Sequence, residues 1–150
     1  MKYYTIQNNN ILIAEKEEAL TKYYETVLPL PNDYEQGKYI IVNGVLVLNP
    51  NWEEEQAQKE RERLDALTLT PADVERALYK EKQMDFDDLK ALIAQQLPQV
   101  DIKGLSIEFR AKDFYRGAEA SGMRLFDVVG ALLGYTPQDM DYLFEHKELP

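Results

Sequence analysis

An Asn-Gly pair at positions 43 and 44 stands between two apolar runs, Lys38-Tyr39-Ile40-Ile41-Val42 and Val45-Leu46-Val47-Leu48. A type I′ turn needs positive φ at both central residues, and Asn followed by Gly supplies it with little strain, so the chain must reverse here as a hairpin. Beyond Asn49-Pro50-Asn51 the pattern changes. Trp52 to Leu64 consists of helix formers with no β-branched residue. Within residues 38–67 a β unit therefore gives way to a helical one.

Working outward, Tyr3-Tyr4-Thr5-Ile6-Gln7 and Ile11-Leu12-Ile13-Ala14 bracket Asn8-Asn9-Asn10, and asparagines tolerate the left-handed backbone of a tight reversal. This predicts a first hairpin. Ala19, Leu20, Tyr23, Tyr24 and Val27 fall at helical spacing, predicting a short helix within 15–27 that Pro29 and Pro31 close off. Two hairpins alone are marginal in water, so they must pair with each other, pack on a helix or pack on another chain. The helix from Trp52 has a thin apolar stripe and candidate i,i+4 pairs Glu55 to Lys59 and Arg61 to Asp65, which marks a solvated connector.

Clearer helix signals follow. Thr70-Pro71-Ala72-Asp73 offers a capping hydroxyl, proline at the first helical position and an acid in the first turn. Asp85 caps a second helix with a broad apolar face, Phe86, Leu89, Leu92, Ile93 and Leu97, ending at Pro98. Residues 101–109 fit a helix or a strand, with helix preferred, and Phe114-Tyr115-Arg116-Gly117 reads as a loop. Arg124 to Leu133 is strongly apolar with Gly134 placed for a left-handed C-cap, and Thr136-Pro137-Gln138-Asp139 opens a last helix. The expected fold is α+β, predominantly α: a β-hairpin unit over 1–51, a connector helix over 52–69, and a bundle of four to five short helices over 70–150.

Composition narrows the chemistry. The 150 residues carry a net charge of −10, and the acidic excess is spread along the chain with no basic patch, which disfavours direct binding to a phosphate backbone. Absence of cysteine removes disulfides, thiolate catalysis and thiolate metal sites. No apolar run approaches the roughly 18 residues of a membrane span, and the first residues do not read as a signal peptide.

Catalytic templates fail for lack of parts. The single histidine, His146, lies near the end of the last helical pattern, and neither Ser106 nor Ser121 sits in a nucleophile elbow. Asp85, Asp87 and Asp88 lack the glycine and distal glutamate of a calcium loop and read as helix capping. Glu53-Glu54-Glu55 forms a solvated face with no pocket to raise a pKa. No phosphate-cradling glycine loop is present, and no cofactor or metal is expected.

What remains suggests contact surfaces. Tyrosine buries a rigid body while its hydroxyl stays paired or wet, and Tyr3, Tyr4, Tyr23, Tyr24, Tyr34 and Tyr39 crowd the first third of the chain, where a thin β unit also needs large residues for its own core. Trp52 opens the connector. In Phe114-Tyr115-Arg116-Gly117 an arginine flanked by aromatics can serve a buried ion pair or a binding surface, and structural anchoring is the preferred of the two readings. The candidate interaction residues are Tyr3, Tyr4, Tyr23, Tyr24, Tyr39, Trp52, Phe114, Tyr115 and Arg116.

The stretch from Tyr39 to Asn51 with its acidic helix resembles small proteins of prophage tail and baseplate modules. So do Leu69-Thr70-Pro71-Ala72-Asp73, Met84-Asp85-Phe86-Asp87-Asp88-Leu89, Asp101-Ile102-Lys103-Gly104-Leu105, Phe114-Tyr115-Arg116-Gly117 and Leu132-Leu133-Gly134-Tyr135-Thr136-Pro137. The likeness departs at Gly104 and Ala118-Glu119-Ala120. It implies a non-enzymatic structural or assembly role, with other tail proteins or a further copy as partner, in the host cytoplasm during assembly or in the virion. It names no reaction. The alternative is an acidic phage inhibitor of a host nucleic-acid-binding protein.

Overall fold

Asn43 and Gly44 adopt φ of 52° and 77°, and between them the chain turns from β4 (Tyr39–Val42) into β5 (Val45–Leu48). In the computed structural model, which describes residues 1–120 and 122–150, the chain is α+β and mostly helical, and divides into two compact units, Met1–Ala57 and Gln58–Pro150.

In the first unit, Asn8 and Asn9 take φ of 50° and 61° and reverse β1 (Tyr3–Gln7) into β2 (Asn10–Ala14), pairing Tyr3 with Ala14 and Ile6 with Ile11. The short helix expected within 15–27 is α1 (Glu17–Thr21), which ends before Tyr23, Tyr24 and Val27. Thr21, Tyr23, Tyr24, Thr26 and Val27 are poor helix formers. They lead instead into β3 (Leu28–Pro29), which pairs with β1 to give the order β2-β1-β3. Thr5 Oγ1 donates to Thr26 O at 2.6 Å, and Leu30 N to Lys2 O at 2.8 Å, holding that segment in place. Pro29 sits on an edge strand, where its missing N–H costs no ladder bond.

β4 and β5 form a separate two-stranded sheet and do not pair with the first hairpin. Asn49 converts this hairpin into α2 (Trp52–Asp65). Its Nδ2 donates to Gly37 O (3.0 Å) and Glu55 Oε2 (3.2 Å), while its Oδ1 accepts from Asn51 N (3.0 Å). Glu55 thus works as the partner of a buried asparagine. The second expected pair, Arg61 with Asp65, forms at 2.7 Å.

In the second unit, β6 (Thr68–Leu69) precedes α3 (Pro71–Lys82), α4 (Phe86–Gln96) and α5 (Ile102–Ala111). Then come β7 (Phe114–Tyr115), β8 (Glu119–Ala120), β9 (Met123–Arg124), α6 (Leu125–Leu133) and α7 (Pro137–His146). Capping boxes start three helices: Thr70 with Asp73, Asp85 with Asp88, and Thr136 with Asp139, each side chain bonding the other's backbone N–H. Gly134, at φ 84°, ends α6. The Phe114 segment is a strand where a loop was expected. Thr68 pairs with Tyr115 and Leu69 with Phe114, a long-range ladder that local composition does not signal.

The main core lies here. All five phenylalanines form one chain of ring contacts, Phe86 to Phe109 to Phe114 to Phe126 to Phe144, with Leu69, Leu89, Ile93 and Met140 filled in around them.

Candidate interaction surface

Partner residues in a hairpin share a face of the sheet. The register Ile40 with Val47 and Val42 with Val45 therefore gathers four β-branched side chains on one side of β4–β5, while Tyr39, Ile41, Leu46 and Leu48 lie on the other. The first side is uncovered: Ile40, Val42, Val45 and Val47 keep 37%, 44%, 58% and 36% of their surface. No charged residue occurs between Tyr39 and Asn49.

The surrounding unit explains the exposure. Among the described residues of Met1–Ala57 the buried hydrophobic side chains are Tyr4, Leu20 and Leu30, whereas Gln58–Pro150 buries sixteen. Among the described residues, nine of the thirteen exposed large hydrophobics belong to the smaller unit. Contiguous exposed apolar surface of this kind marks an interaction site.

The candidate interaction residues divide. Tyr4 is buried, so its ring serves the unit's own interior. Tyr3, Tyr24, Tyr39 and Trp52 are half-buried. Tyr39 donates its hydroxyl to Asp33 at 2.8 Å and stacks on Tyr34, and Trp52 closes over the α-carbon of Gly37. Tyr23 and Tyr115 are exposed. Phe114 and Arg116 are buried and offer no surface to a partner; both are structural.

Arg116 is wholly enclosed. Its Nε donates to Asp141 Oδ1 (2.7 Å) and its Nη2 to Asp127 Oδ1 (2.6 Å) and Pro137 O (3.0 Å). Asp127 also faces Arg124 (3.3 Å), which holds Asp65 (2.6 Å); Asp65 binds Arg61 (2.7 Å), and Arg61 returns to Asp141 (3.0 Å). Three arginines and three aspartates thus alternate around a closed ring. Burial raises the Asp141 carboxyl, but hydrogen bonds from Arg61 and Arg116 outweigh it and hold the group below its ordinary value. Arg124, and after it Arg61, lowers Asp65 against the opposing effect of burial. These depressed carboxylates stay ionised and act as anchors rather than proton donors.

Other reactive types are placed structurally. Ser106 Oγ donates to Ile102 O within α5 (2.7 Å), and Ser121 lies outside the described residues. His146 is exposed and stacks on Tyr142. Asp85 and Asp88 cap α4, and Asp87 pairs with Lys90. Among the described residues no three His, Cys, Asp or Glu side chains converge to hold a metal, and no helix is long and apolar enough to cross a membrane. A cleft of about 440 Å³ has Leu105, Phe114, Leu125 and Asp101 in its lining. Asp101 already accepts a hydrogen bond from Gly104 N (3.0 Å).

The four residues of the uncovered face are aliphatic and lie outside the tyrosine pattern. Their signal was present in the strands themselves, which run apolar at every position where a half-exposed strand would alternate. No protein-family model, curated protein or solved structure matches this chain.

Proposed function

We propose that this chain is a non-enzymatic structural component or assembly accessory of a phage tail or baseplate, acting through protein–protein contacts, with the β4–β5 hairpin as its docking element. The observation that carries the docking role is the uncovered face of Ile40, Val42, Val45 and Val47 on a unit with few buried hydrophobic side chains. Such a unit gains most from a partner that covers it. The phage context rests on the sequence resemblance described above. A charge-driven inhibitor of a nucleic-acid-binding protein is less well supported, because it needs carboxylates ordered along its contact face and this face has none.

Deleting the coding sequence from a prophage that carries it, inducing the phage and imaging the released particles tests the reading. Absent or incomplete tails, restored by supplying the chain in trans, are expected. Particles with normal tails and undiminished infectivity would overturn it.

A further inference from the structure

We infer that the free edge of β5 is a strand-addition site whose occupant is β5 of a second copy of this chain, an inference that rests on the docking role proposed for the hairpin. Among the described residues β5 pairs with β4 alone. In an antiparallel pair, opposed residues alternate between hydrogen-bonded and non-bonded, and Asn49 N donating to Lys38 O at 2.7 Å sets the phase. Two residues in, Ile40 and Val47 exchange bonds, then Val42 and Val45. The N–H groups of Leu46 and Leu48 therefore point away from β4.

Natural edge strands are blunted by charge, proline or a bulge. Val45-Leu46-Val47-Leu48 contains no charge and no proline, and its register with β4 is uninterrupted. Left alone, a two-stranded ribbon is marginal, and a third and fourth strand remedy that.

Charge and symmetry select the occupant. The chain carries a net charge of −10, so two copies repel through most of their surface, yet residues 39–49 hold no charged side chain. A basic partner would be drawn to the acidic surface elsewhere, whereas an uncharged edge is matched by its own copy across a two-fold axis. With that axis at Val47, Leu46 lies opposite Leu48 of the second copy, and both residues donate and accept across the seam. This register keeps like faces together. Ile40, Val42, Val45 and Val47 of both copies then form one continuous apolar face, twice the surface a single hairpin presents.

Light scattering after size exclusion of the full chain over a range of concentrations, paired with residue-resolved amide exchange, tests this. The mass should rise from 17.4 kDa toward twice that value. Protection of the Leu46 and Leu48 amides should rise with it, while Val45 and Val47 are protected throughout. Leu48→Pro removes one outward N–H and leaves the ladder to β4 intact, so it should hold the chain monomeric; Tyr23→Lys should not. A monomer at every concentration, a dimer whose Leu46 and Leu48 amides still exchange freely, or an undiminished Leu48→Pro dimer would each overturn the inference. A monomer whose deletion still blocks tail assembly refutes this dimer and leaves the docking role intact. A dimer dispensable for tails does the reverse.

Discussion

Arg116 Nε lies 2.7 Å from Asp141 Oδ1, and the same carboxylate receives both terminal nitrogens of Arg61 at 3.0 and 3.2 Å. One aspartate thus serves a wholly buried guanidinium and a partly exposed one. Enclosing a charge is tolerable only when counter-charges and hydrogen bonds replace its water. For Arg116 these come from α6 through Asp127 and from α7 through Asp141 and Pro137 O, so the side chain fixes where two helices lie against β7.

Asp141→Asn should cost about 3 kcal/mol, because it strips a buried arginine of one counter-charge and leaves Asp127 as its remaining carboxylate. Arg116→Lys should cost about 2 kcal/mol, since one ammonium cannot reproduce the planar fork that meets Asp127, Asp141 and Pro137 together. Urea unfolding checks both: the midpoint should fall with the slope unchanged. An unshifted midpoint for either variant would mean that the ring contributes nothing.

Acid should loosen the same unit. Asp141, Asp65 and Asp73 all titrate below their ordinary 3.8. A carboxyl depressed in the folded state binds fewer protons there than in the unfolded chain, so its contribution is complete above the unfolded value and lost as pH falls through the folded one. Thermal midpoints should hold steady from about pH 6 to 8 and decline below about pH 4. Asp141→Asn should make that decline shallower.

Gly117→Ala should destabilise by about 1 to 2 kcal/mol through crowding alone. An added Cβ would lie 3.0 Å from Asp65 Cβ and 3.3 Å from Asp65 O, and Gly117 N already donates to that oxygen at 3.1 Å. Backbone and ring residue would both have to move. Comparing its unfolding midpoint with that of Gly44→Ala separates two uses of glycine. Gly44 has open space around it but φ of 77°, so its cost of about 1 kcal/mol is backbone strain in the hairpin.

These glycines show which parts of the fold were legible. Asn43-Gly44, Asn8-Asn9, the three capping boxes and Gly134 each settle their geometry within a few residues, and all were readable in order. Phe114-Tyr115-Arg116-Gly117 was not, because every residue in it answers to something distant. Phe114 meets Phe109 and Phe126, Tyr115 pairs with Thr68, Arg116 reaches Asp127 and Asp141, and Gly117 makes room for Asp65. Its odd composition pointed to structural anchoring, and Arg116 is anchored so, but the partners could not be named. The early end of α1 has the same origin, since β1 pairs with Leu28 and Pro29 just beyond a segment whose own periodicity was helical, and Thr5 holds Thr26 beside it. The tyrosines divide, Tyr4 buried and Tyr23 exposed, because aromatic character shows what a residue can bury, while exposure depends on how much core the neighbouring chain supplies.

The docking face can be altered while the hairpin is retained. Val42 and Val45 stand directly opposite each other beside the turn, on the uncovered side. Val42→Glu with Val45→Lys places opposite charges across that pair, which offsets lost β propensity by a few tenths of a kcal/mol, while two lysines there would repel. The double variant should keep the parent's circular dichroism and its unfolding free energy to within about 0.5 kcal/mol, because both sites are on the surface. It should nevertheless fail to restore tail assembly to the deletion described above. Full restoration would show that the apolar character of this face is not what the partner reads, and would shift attention to exposed Tyr23 and Leu28 in the same unit.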